Sequence, residues 1–250
     1  MISPKPRILT VTDSFRFTPN LHRVSLGGPG LDDFPSHQTG GYIKLILPRS
    51  DELKPIVRTY TIRAQSEKRI LVDFALHGSN ESAGPATSWA LNACVGDTIA
   101  IGGPGPAKPL PDGSGPFLLV GDMTALPAIS VNLEGLPNDA TGNAIILVRD
   151  IEDKQNLAKP PGVNVHWLFD ADLGINPTVL VEAVMNTLSK NELSYVWIAC
   201  EFEAMKLLRQ YFRIELKFDQ KRLYVSSYWK QGLVEDDHKK IKRADADKIY

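Results

Sequence analysis

The sequence predicts two successive folds, an antiparallel β-barrel followed by a three-layer α/β domain with a parallel sheet. In roughly the first hundred residues, six short β-like runs are separated by turn signals. The later residues instead alternate continuous apolar runs with helical runs, which is typical of a parallel sheet covered on both faces. Between them, residues 104–116 are rich in proline and glycine. We therefore expect domains at 1–108 and 116–250.

The predicted barrel strands are 7–17, 21–26, 41–47, 57–63, 69–76 and 97–101. Turn residues separate them, and Gly-rich segments follow the second and the sixth strand. One helix, 85–93, interrupts the strands and begins with Pro85, a favourable residue in a first helical turn.

The predicted parallel strands of the second domain are 117–120, 144–148, 163–169, 195–200 and 223–226. Helices are expected up to about residue 133 and at 177–188 and 203–212. The tail from Lys230 is strongly charged, and the pairs Glu235/Lys239 and Asp236/Lys240 have helical i,i+4 spacing. This spacing predicts a solvated terminal helix.

Composition excludes several function classes. With 28 Lys+Arg against 29 Asp+Glu, the net charge of -1 argues against binding to nucleic acid or to a membrane surface. Apolar runs fall far short of the ~20 residues that span a bilayer, and the start of the sequence has no signal-peptide pattern. Cys94 and Cys200 form no close motif and are expected to be reduced, buried thiols, with a single disulfide between them as the alternative. A soluble, cytoplasmic monomer is expected.

The strand at 58–63 carries the first chemical signal. Arg58 and Tyr60 alternate with Thr59 and Thr61, so the cation and the aromatic ring share one face. A guanidinium suits phosphate oxygens, and a phenol ring offers a flat apolar surface. The pattern fits a flavin dinucleotide, and it also fits an ordinary amphipathic edge strand.

Six short segments occur in an ordered set: 58–63, 73–77, 84–90, 96–98, 121–128 and 228–229. Together they resemble the siderophore-interacting protein family, over essentially the whole chain. The resemblance implies a ferredoxin-reductase-like layout and an FAD-dependent enzyme that reduces ferric siderophores with NAD(P)H. Two other readings stay open: a siderophore escort protein without redox turnover, and a reductase that passes electrons to an iron–sulfur protein. An iron–sulfur protein is also an alternative electron donor for the reductase.

On the flavin side, the resemblance implies that Arg58 pairs with the pyrophosphate and Tyr60 packs against the isoalloxazine ring. Thr61 would hydrogen-bond near the reactive edge of the ring or the ribityl chain. Asp73 and His77 would contact the ribityl or adenosine side.

Ala86 and Thr87 lie at the start of the predicted helix 85–93. Free backbone N–H groups and the positive end of the helix dipole favour a phosphate there. The resemblance therefore adds both residues to the expected FAD contacts.

On the nicotinamide side, Asp122 and Thr124 follow a buried strand and open a helix, where dinucleotides dock. Only Gly121 of a GxGxxG pattern is present. The family carries glutamate where this chain has Met123, and glycine where it has Cys200. The resemblance also implies contacts from three further residues: Glu201, Tyr228 and Trp229.

Arg149 follows the second parallel strand, where proteins with such sheets usually recognise the adenosine ribose or its 2′-phosphate. An arginine at this position favours NADPH. A surface cation at a strand end is the other interpretation.

Ferric siderophores are often polyanionic, so a basic pocket is expected. Lys44 matches a lysine of the family, whereas Gly105 stands at its second basic position. The further basic candidates are Lys108, Arg222 and Lys230. The sequence contains no HExxH or CxxC motif, and no protein-bound metal is expected.

Overall fold

The computed structural model describes residues 5–48, 54–76, 84–188, 193–233 and 235–246. The chain forms two compact units, Met1–Pro109 and Leu110–Tyr250. Among the described residues, no helix combines the length and the apolar character needed to cross a membrane.

The first unit is a closed barrel of six strands in the order β1-β2-β5-β4-β3-β6, with antiparallel neighbours. The strands are β1 (Arg7–Thr18), β2 (Leu21–Gly27), β3 (Tyr42–Leu47), β4 (Ile56–Ser66), β5 (Arg69–Ala75) and β6 (Thr98–Gly105). The predicted six-stranded antiparallel barrel is confirmed.

The barrel interior is filled by alternating apolar side chains, among them Leu9, Leu45 and Phe74, which are fully buried. One helix, α1 (Pro85–Asn92), adds Ala86 and Ala90 to the same core. Gly84 caps this helix without a side-chain hydrogen bond. Because a helix of eight residues is marginal alone, packing against the barrel must stabilise it.

The end of β6 differs from the sequence prediction. A turn was expected from Gly102 onward, but the strand continues to Gly105. Gly102 pairs with Lys44 and Gly105 pairs with Tyr42, with a register irregularity between the two pairs. Glycine can follow the distorted backbone at this irregularity, where Gly103 has φ +104°, so the strand bends and does not end.

The second unit is a five-stranded parallel sheet in the order β11-β10-β7-β8-β9. The strands are β7 (Phe117–Asp122), β8 (Thr141–Val148), β9 (Gly162–Phe169), β10 (Tyr195–Glu201) and β11 (Leu223–Trp229). The helices are α2 (Leu126–Glu134), α3 (Thr178–Thr187), α4 (Phe202–Gln210) and α5 (Glu235–Ala246). The strand order changes direction at β7. In open α/β sheets, dinucleotides generally dock at the carboxyl ends of the strands beside such a point.

The terminal helix is anchored and not simply solvated. His238 is buried and pairs with the Ser227 hydroxyl. Lys242 donates to the Ser227 carbonyl at 2.7 Å, and Arg209 holds Asp245 through two bonds of 2.6 and 3.0 Å. The prediction of a solvated helix was therefore wrong for the inner face of α5, because polar side chains on that face attach the helix to β11 and α4.

The predicted i,i+4 pairs of this helix include the side chains of Glu235, Asp236 and Lys239, which lie outside the described set. Lys240 instead pairs with Asp237, three residues earlier, at 2.9 Å. Exposed pairs of this kind contribute little to stability.

Candidate flavin and nucleotide sites

Strand β4 is divided between two neighbours. Its pairing with β3 runs from Ile56 to Thr61, and its pairing with β5 runs from Ile62 to Ser66. The register shifts between Ile62 and Ala64, so Arg63 is the extra residue of a bulge. The segment that carries Arg58, Tyr60 and Thr61 therefore belongs to the β3 ladder, and the two ladders occupy successive halves of β4.

Tyr60 is half-buried against the barrel core. Its ring centroid lies 4.4 Å from that of Phe74, which in turn lies 5.9 Å from that of Trp89. Arg58 lies on the same face of the strand and donates to the Val57 carbonyl at 3.0 Å. A cation and a supported aromatic ring thus share one face of β4.

The opposite face of the β3–β4 pair carries the predicted lysine. Lys44 is exposed and pairs across the strands with Thr59, while Tyr42 pairs with Thr61. Cross-strand partners lie on one face of a sheet, so these four side chains share the outer surface.

Gly105 lies directly beneath the ring of Tyr42. A Cβ at this position would approach the Tyr42 ring to 2.0–2.4 Å. Any side chain at residue 105 would therefore require the tyrosine to move. The glycine at residue 105 is therefore compatible with the position of this tyrosine, whereas the family pattern has a basic residue here. Lys108, the proposed substitute, is exposed.

Asp73 makes a bidentate ion pair with Arg23. The two bonds measure 2.6 and 2.8 Å, and the carboxylate is almost fully buried. The Arg23 guanidinium also lies over the Phe17 ring, 3.9 Å from its centroid. The structure thus gives Asp73 a role in tying β2 to β5, and its predicted contact with the flavin stays a prediction.

At the start of α1, Ala86 and Thr87 are both buried. The Ala86 side chain packs in the barrel core, so a phosphate contact at that residue would use its main-chain N–H group. His77, the remaining predicted contact, lies outside the described residues.

In the second unit, Asp122 joins the carboxyl ends of three strands. Its Oδ1 accepts bonds from the Thr124 amide at 2.9 Å and the Thr124 hydroxyl at 2.6 Å. Its Oδ2 accepts the Glu201 amide and the Trp229 indole N–H, both at 2.8 Å. Because the side chain is buried, these bonds replace the water that the carboxylate loses. The residue therefore fastens β7, β10 and β11 together.

Glu201 has a comparable internal role. Its Oε2 accepts the Glu203 amide at 2.5 Å and the Ala204 amide at 3.3 Å, so it caps α4. Its Oε1 accepts the Gln231 amide at 3.2 Å. Direct contacts of Asp122, Thr124 and Glu201 with a nucleotide stay predictions.

Trp229 packs on a glycine of the loop that follows β9. Gly174 has φ +85°, and a Cβ there would lie 2.7 Å from Cη2 of Trp229. The neighbouring Tyr228 packs edge-on against Trp197, with centroids 6.4 Å apart. Burial raises the pKa of the Tyr228 phenol, and the neighbouring Tyr224 raises it further. Tyr228 is therefore neutral and packs within the sheet, and the predicted contacts of Tyr228 and Trp229 with the cofactor stay predictions.

The two departures from the family pattern, Met123 and Cys200, are both buried. Burial raises the pKa of the Cys200 thiol well above its usual value, and the carboxylates of Asp122 and Glu201 raise it further. The thiol is therefore protonated and unreactive at neutral pH.

The structure separates two of the predicted basic residues. Arg222 directly precedes β11, whereas Lys230 directly follows it. A strand of seven residues spans about 23 Å, so the two cations cannot line one pocket. Arg222 donates to the Leu193 carbonyl at 3.0 Å, and Lys230 pairs with Glu203 at 2.5 Å.

Within the described residues, no group of three or more His, Cys, Asp or Glu side chains could hold a metal ion.

Comparisons with known proteins agree over most of the chain. The profile of the siderophore-interacting protein family matches residues 115–232. The profile of the siderophore-interacting FAD-binding domain matches residues 10–55 and 49–108. The chain belongs to the siderophore-interacting protein family.

Individual members of the family cover the chain almost completely. Ferric vibriobactin reductase ViuB of Vibrio cholerae is 31% identical, over 92% of each chain. The NADPH-dependent ferric-chelate reductase of Escherichia coli is 27% identical, over 89% of this chain and 92% of the relative. The crystal structure of the siderophore-interacting protein SipS from Aeromonas hydrophila is 35% identical, with a TM-score of 0.84 and coverage of 97% of this chain and 98% of that chain.

The barrel of this family member is an FAD-binding domain. The chemistry of its residues fits the cofactor: in their predicted roles, Arg58 would supply a cation for phosphate, and Tyr60 would supply a ring that is already supported by Phe74. The start of α1 supplies main-chain donors for an anion.

Sequence reasoning missed the residues that support these sites. Arg23, Phe74 and Gly174 lie in different segments from the residues they contact, and no local pattern marks Arg23 or Gly174. Phe74 had one signal, its position two residues from Val72 in an alternating strand that pairs with β4.

Proposed function

We propose that this chain is an FAD-dependent reductase that uses a reduced nicotinamide dinucleotide to reduce Fe(III) in ferric siderophores. The observation that carries the proposal is the full-length similarity to named ferric reductases in a chain that combines an FAD-binding barrel with a parallel sheet. Hard anionic oxygen ligands hold Fe(III) far more tightly than Fe(II), so reduction would release the iron.

When bound, FAD would supply the redox chemistry, accepting two electrons from the nicotinamide and delivering them singly to two Fe(III) ions. The residues of the barrel would bind and orient it. Arg58 would neutralise the pyrophosphate, and Tyr60, held by Phe74, would present a rigid surface to the ring system. Thr61 would supply a hydroxyl on the other face of β4.

Lys44 would attract the anionic chelate. It is exposed on the outer face of the β3–β4 pair, where its partner Thr59 is also exposed. An exposed lysine in such a position acts mainly on encounter with a charged ligand, and salt screens its effect. We expect Lys44 to affect the use of dilute substrate more than turnover at saturation.

The absorption spectrum of the purified protein tests the proposal directly. FAD should copurify or bind on addition, and anaerobic addition of a reduced nicotinamide dinucleotide should bleach the flavin. A ferric siderophore added next should restore the oxidised spectrum, with two Fe(II) trapped by a chelator for each flavin reoxidised. A protein that binds ferric siderophores but never takes up FAD would be an escort protein, and the proposal would fail.

Two substitutions test the residue roles. Arg58→Ala should weaken FAD binding about tenfold or more, with Arg58→Lys intermediate, because lysine keeps the charge without the planar fork. Lys44→Ala should lower kcat/KM for the ferric siderophore at low salt and leave flavin content unchanged. Lys68→Ala, which removes another exposed lysine of the barrel, is the matched control. Equal kcat/KM for the Lys44 and Lys68 variants would remove Lys44 from the site.

A further inference from the structure

The carboxyl end of β8 is where a nucleotide ribose would be read in this sheet. In a doubly wound sheet the dinucleotide lies across the carboxyl edge, with the adenosine ribose at the strand after the first crossover. Here β7 is the central strand and β8 follows it through α2. β8 ends at Val148, and Arg149 comes next.

Arg149 supports a neighbouring loop. Its Nε donates to the Ala171 carbonyl at 3.0 Å, and the Asp170 amide donates to the Val148 carbonyl at 2.9 Å. These bonds join the end of β8 to the loop that leaves β9. The Nε–H of Arg149 is therefore bonded to backbone at the position where the sequence predicts recognition of a 2′-phosphate.

The surroundings of Arg149 are acidic. The continuous stretch 149–176 contains two cations near this end, Arg149 and Lys154. Its third cation, Lys159, donates to the Val163 carbonyl near the start of β9, at the opposite edge of the sheet. Five carboxylates follow the ends of β8 and β9: Asp150, Glu152, Asp153, Asp170 and Asp172.

Two of these carboxylates are held in place by local hydrogen bonds. Asp150 Oδ1 accepts the Glu152 amide at 2.9 Å, and Asp170 Oδ1 accepts the Asp172 amide at 3.0 Å. Asp150 is exposed and Asp170 is half-buried. Both side chains are therefore fixed beside the strand ends and accessible to a ligand.

We propose that this chain selects NADH over NADPH, with Asp150 and Asp170 as the residues that set the selectivity and Asp172 adding to the negative potential. The inference rests on the proposed function, since it specifies the donor of that reaction. The hydroxyl groups of an unmodified ribose donate to carboxylates, whereas a 2′-phosphate brings roughly two negative charges into an acidic site. We assign Arg149 to holding the loop, through the bond from its Nε to the Ala171 carbonyl.

The test compares both binding and turnover. Calorimetric titration with 5′-AMP and with adenosine 2′,5′-bisphosphate measures recognition without any redox step. Anaerobic flavin reduction by NADH and by NADPH measures the donor preference. We expect both comparisons to favour the nucleotide without the 2′-phosphate, and the preference to narrow as salt is raised.

The variant Asp150→Asn/Asp170→Asn/Asp172→Asn removes three charges and keeps the acceptor oxygens that cap the turns. It should bind the 2′-phosphorylated nucleotide about tenfold more tightly and use NADPH correspondingly better, because the repulsion is gone. Glu134→Gln removes one exposed carboxylate at the end of α2 and should leave the preference unchanged.

The inference is overturned if the wild-type protein binds the bisphosphate at least as tightly as 5′-AMP, or if the Asn variant keeps the wild-type preference. NADPH reduction faster than NADH reduction would overturn it while leaving the proposed function intact. If neither dinucleotide reduces the flavin, yet the chemically reduced protein still reduces ferric siderophores, the nicotinamide site and this inference both fail and the reductase activity stands.

Discussion

Trp229 donates its indole N–H to the buried carboxylate of Asp122 at 2.8 Å, across 107 residues of sequence. The bond joins the last residue of β11 to the last residue of β7, although β10 lies between these strands. Both residues belong to segments through which the chain resembles its family. In the described structure, this bond holds the carboxyl edge of the sheet together.

Trp229→Phe should destabilise the second unit by about 1–2 kcal/mol. The variant keeps a ring but leaves a buried carboxylate with one hydrogen bond fewer, and bonds to charged groups are among the stronger ones. Chemical denaturation followed by far-UV circular dichroism measures the loss. Trp167→Phe, on the outer strand β9 of the same sheet, is the control. This variant should lose less free energy of unfolding than Trp229→Phe. Equal losses would show that the bond to Asp122 adds nothing beyond the ring.

Gly174→Ala should displace Trp229. The new Cβ would lie 2.7 Å from the indole, at a residue with φ +85° where a side chain is also strained. We expect a changed tryptophan fluorescence spectrum and a loss of roughly 2 kcal/mol or more.

Gly232→Ala is the matched control for this change. Gly232 also has a positive φ, +73°, but within the described residues nothing lies within 4 Å of a Cβ there. The Gly232→Ala substitution should lower the free energy of unfolding only by the backbone strain, about 1 kcal/mol. The tryptophan fluorescence spectrum should stay unchanged. An identical spectrum in the Gly174 variant would contradict the contact.

The two cysteines should differ sharply in reactivity. Cys94 is exposed, whereas Cys200 is buried with a raised pKa. Ellman's reagent should therefore modify one thiol in the native protein and both after denaturation. Cys94→Ser should abolish the native reaction. Rapid modification of Cys200 in that variant would show that the edge of the sheet opens readily.

The barrel should lose stability in mild acid because of His22. Burial lowers the pKa of this imidazole below 6.5, and Arg16 lowers it further. The unfolded chain then binds the proton first, so the free energy of unfolding falls as the pH drops from about 6.5 through the lower folded pKa. Urea denaturation at several pH values should show this fall, and His22→Gln should reduce it. An unchanged slope in the variant would assign the effect to other groups.

Much of the fold could be predicted because its signals are local. Alternation of apolar and polar residues indicated the barrel strands, and continuous apolar runs indicated the buried parallel strands. The short motif in β4 led to the flavin hypothesis. The sequence-based prediction was wrong where one local pattern is compatible with two different structures. The glycines after residue 101 looked like a turn but form a bent strand, and the charged tail looked solvated but attaches to β11 through His238 and Lys242.

The sequence by itself determined the two folds, the family and the strand that carries Arg58 and Tyr60. Only the tertiary structure decided what the polar residues do. Asp122 is a local motif residue in the sequence, yet it bonds to residues 79 and 107 positions away. Arg149 suggests a phosphate site in the sequence, yet carboxylates follow the ends of both β8 and β9, the two strands whose ends Arg149 joins. Periodicity is a property of neighbouring residues and can be recognised in the sequence. The partners of a buried or clustered charge depend on which distant segments the fold brings together.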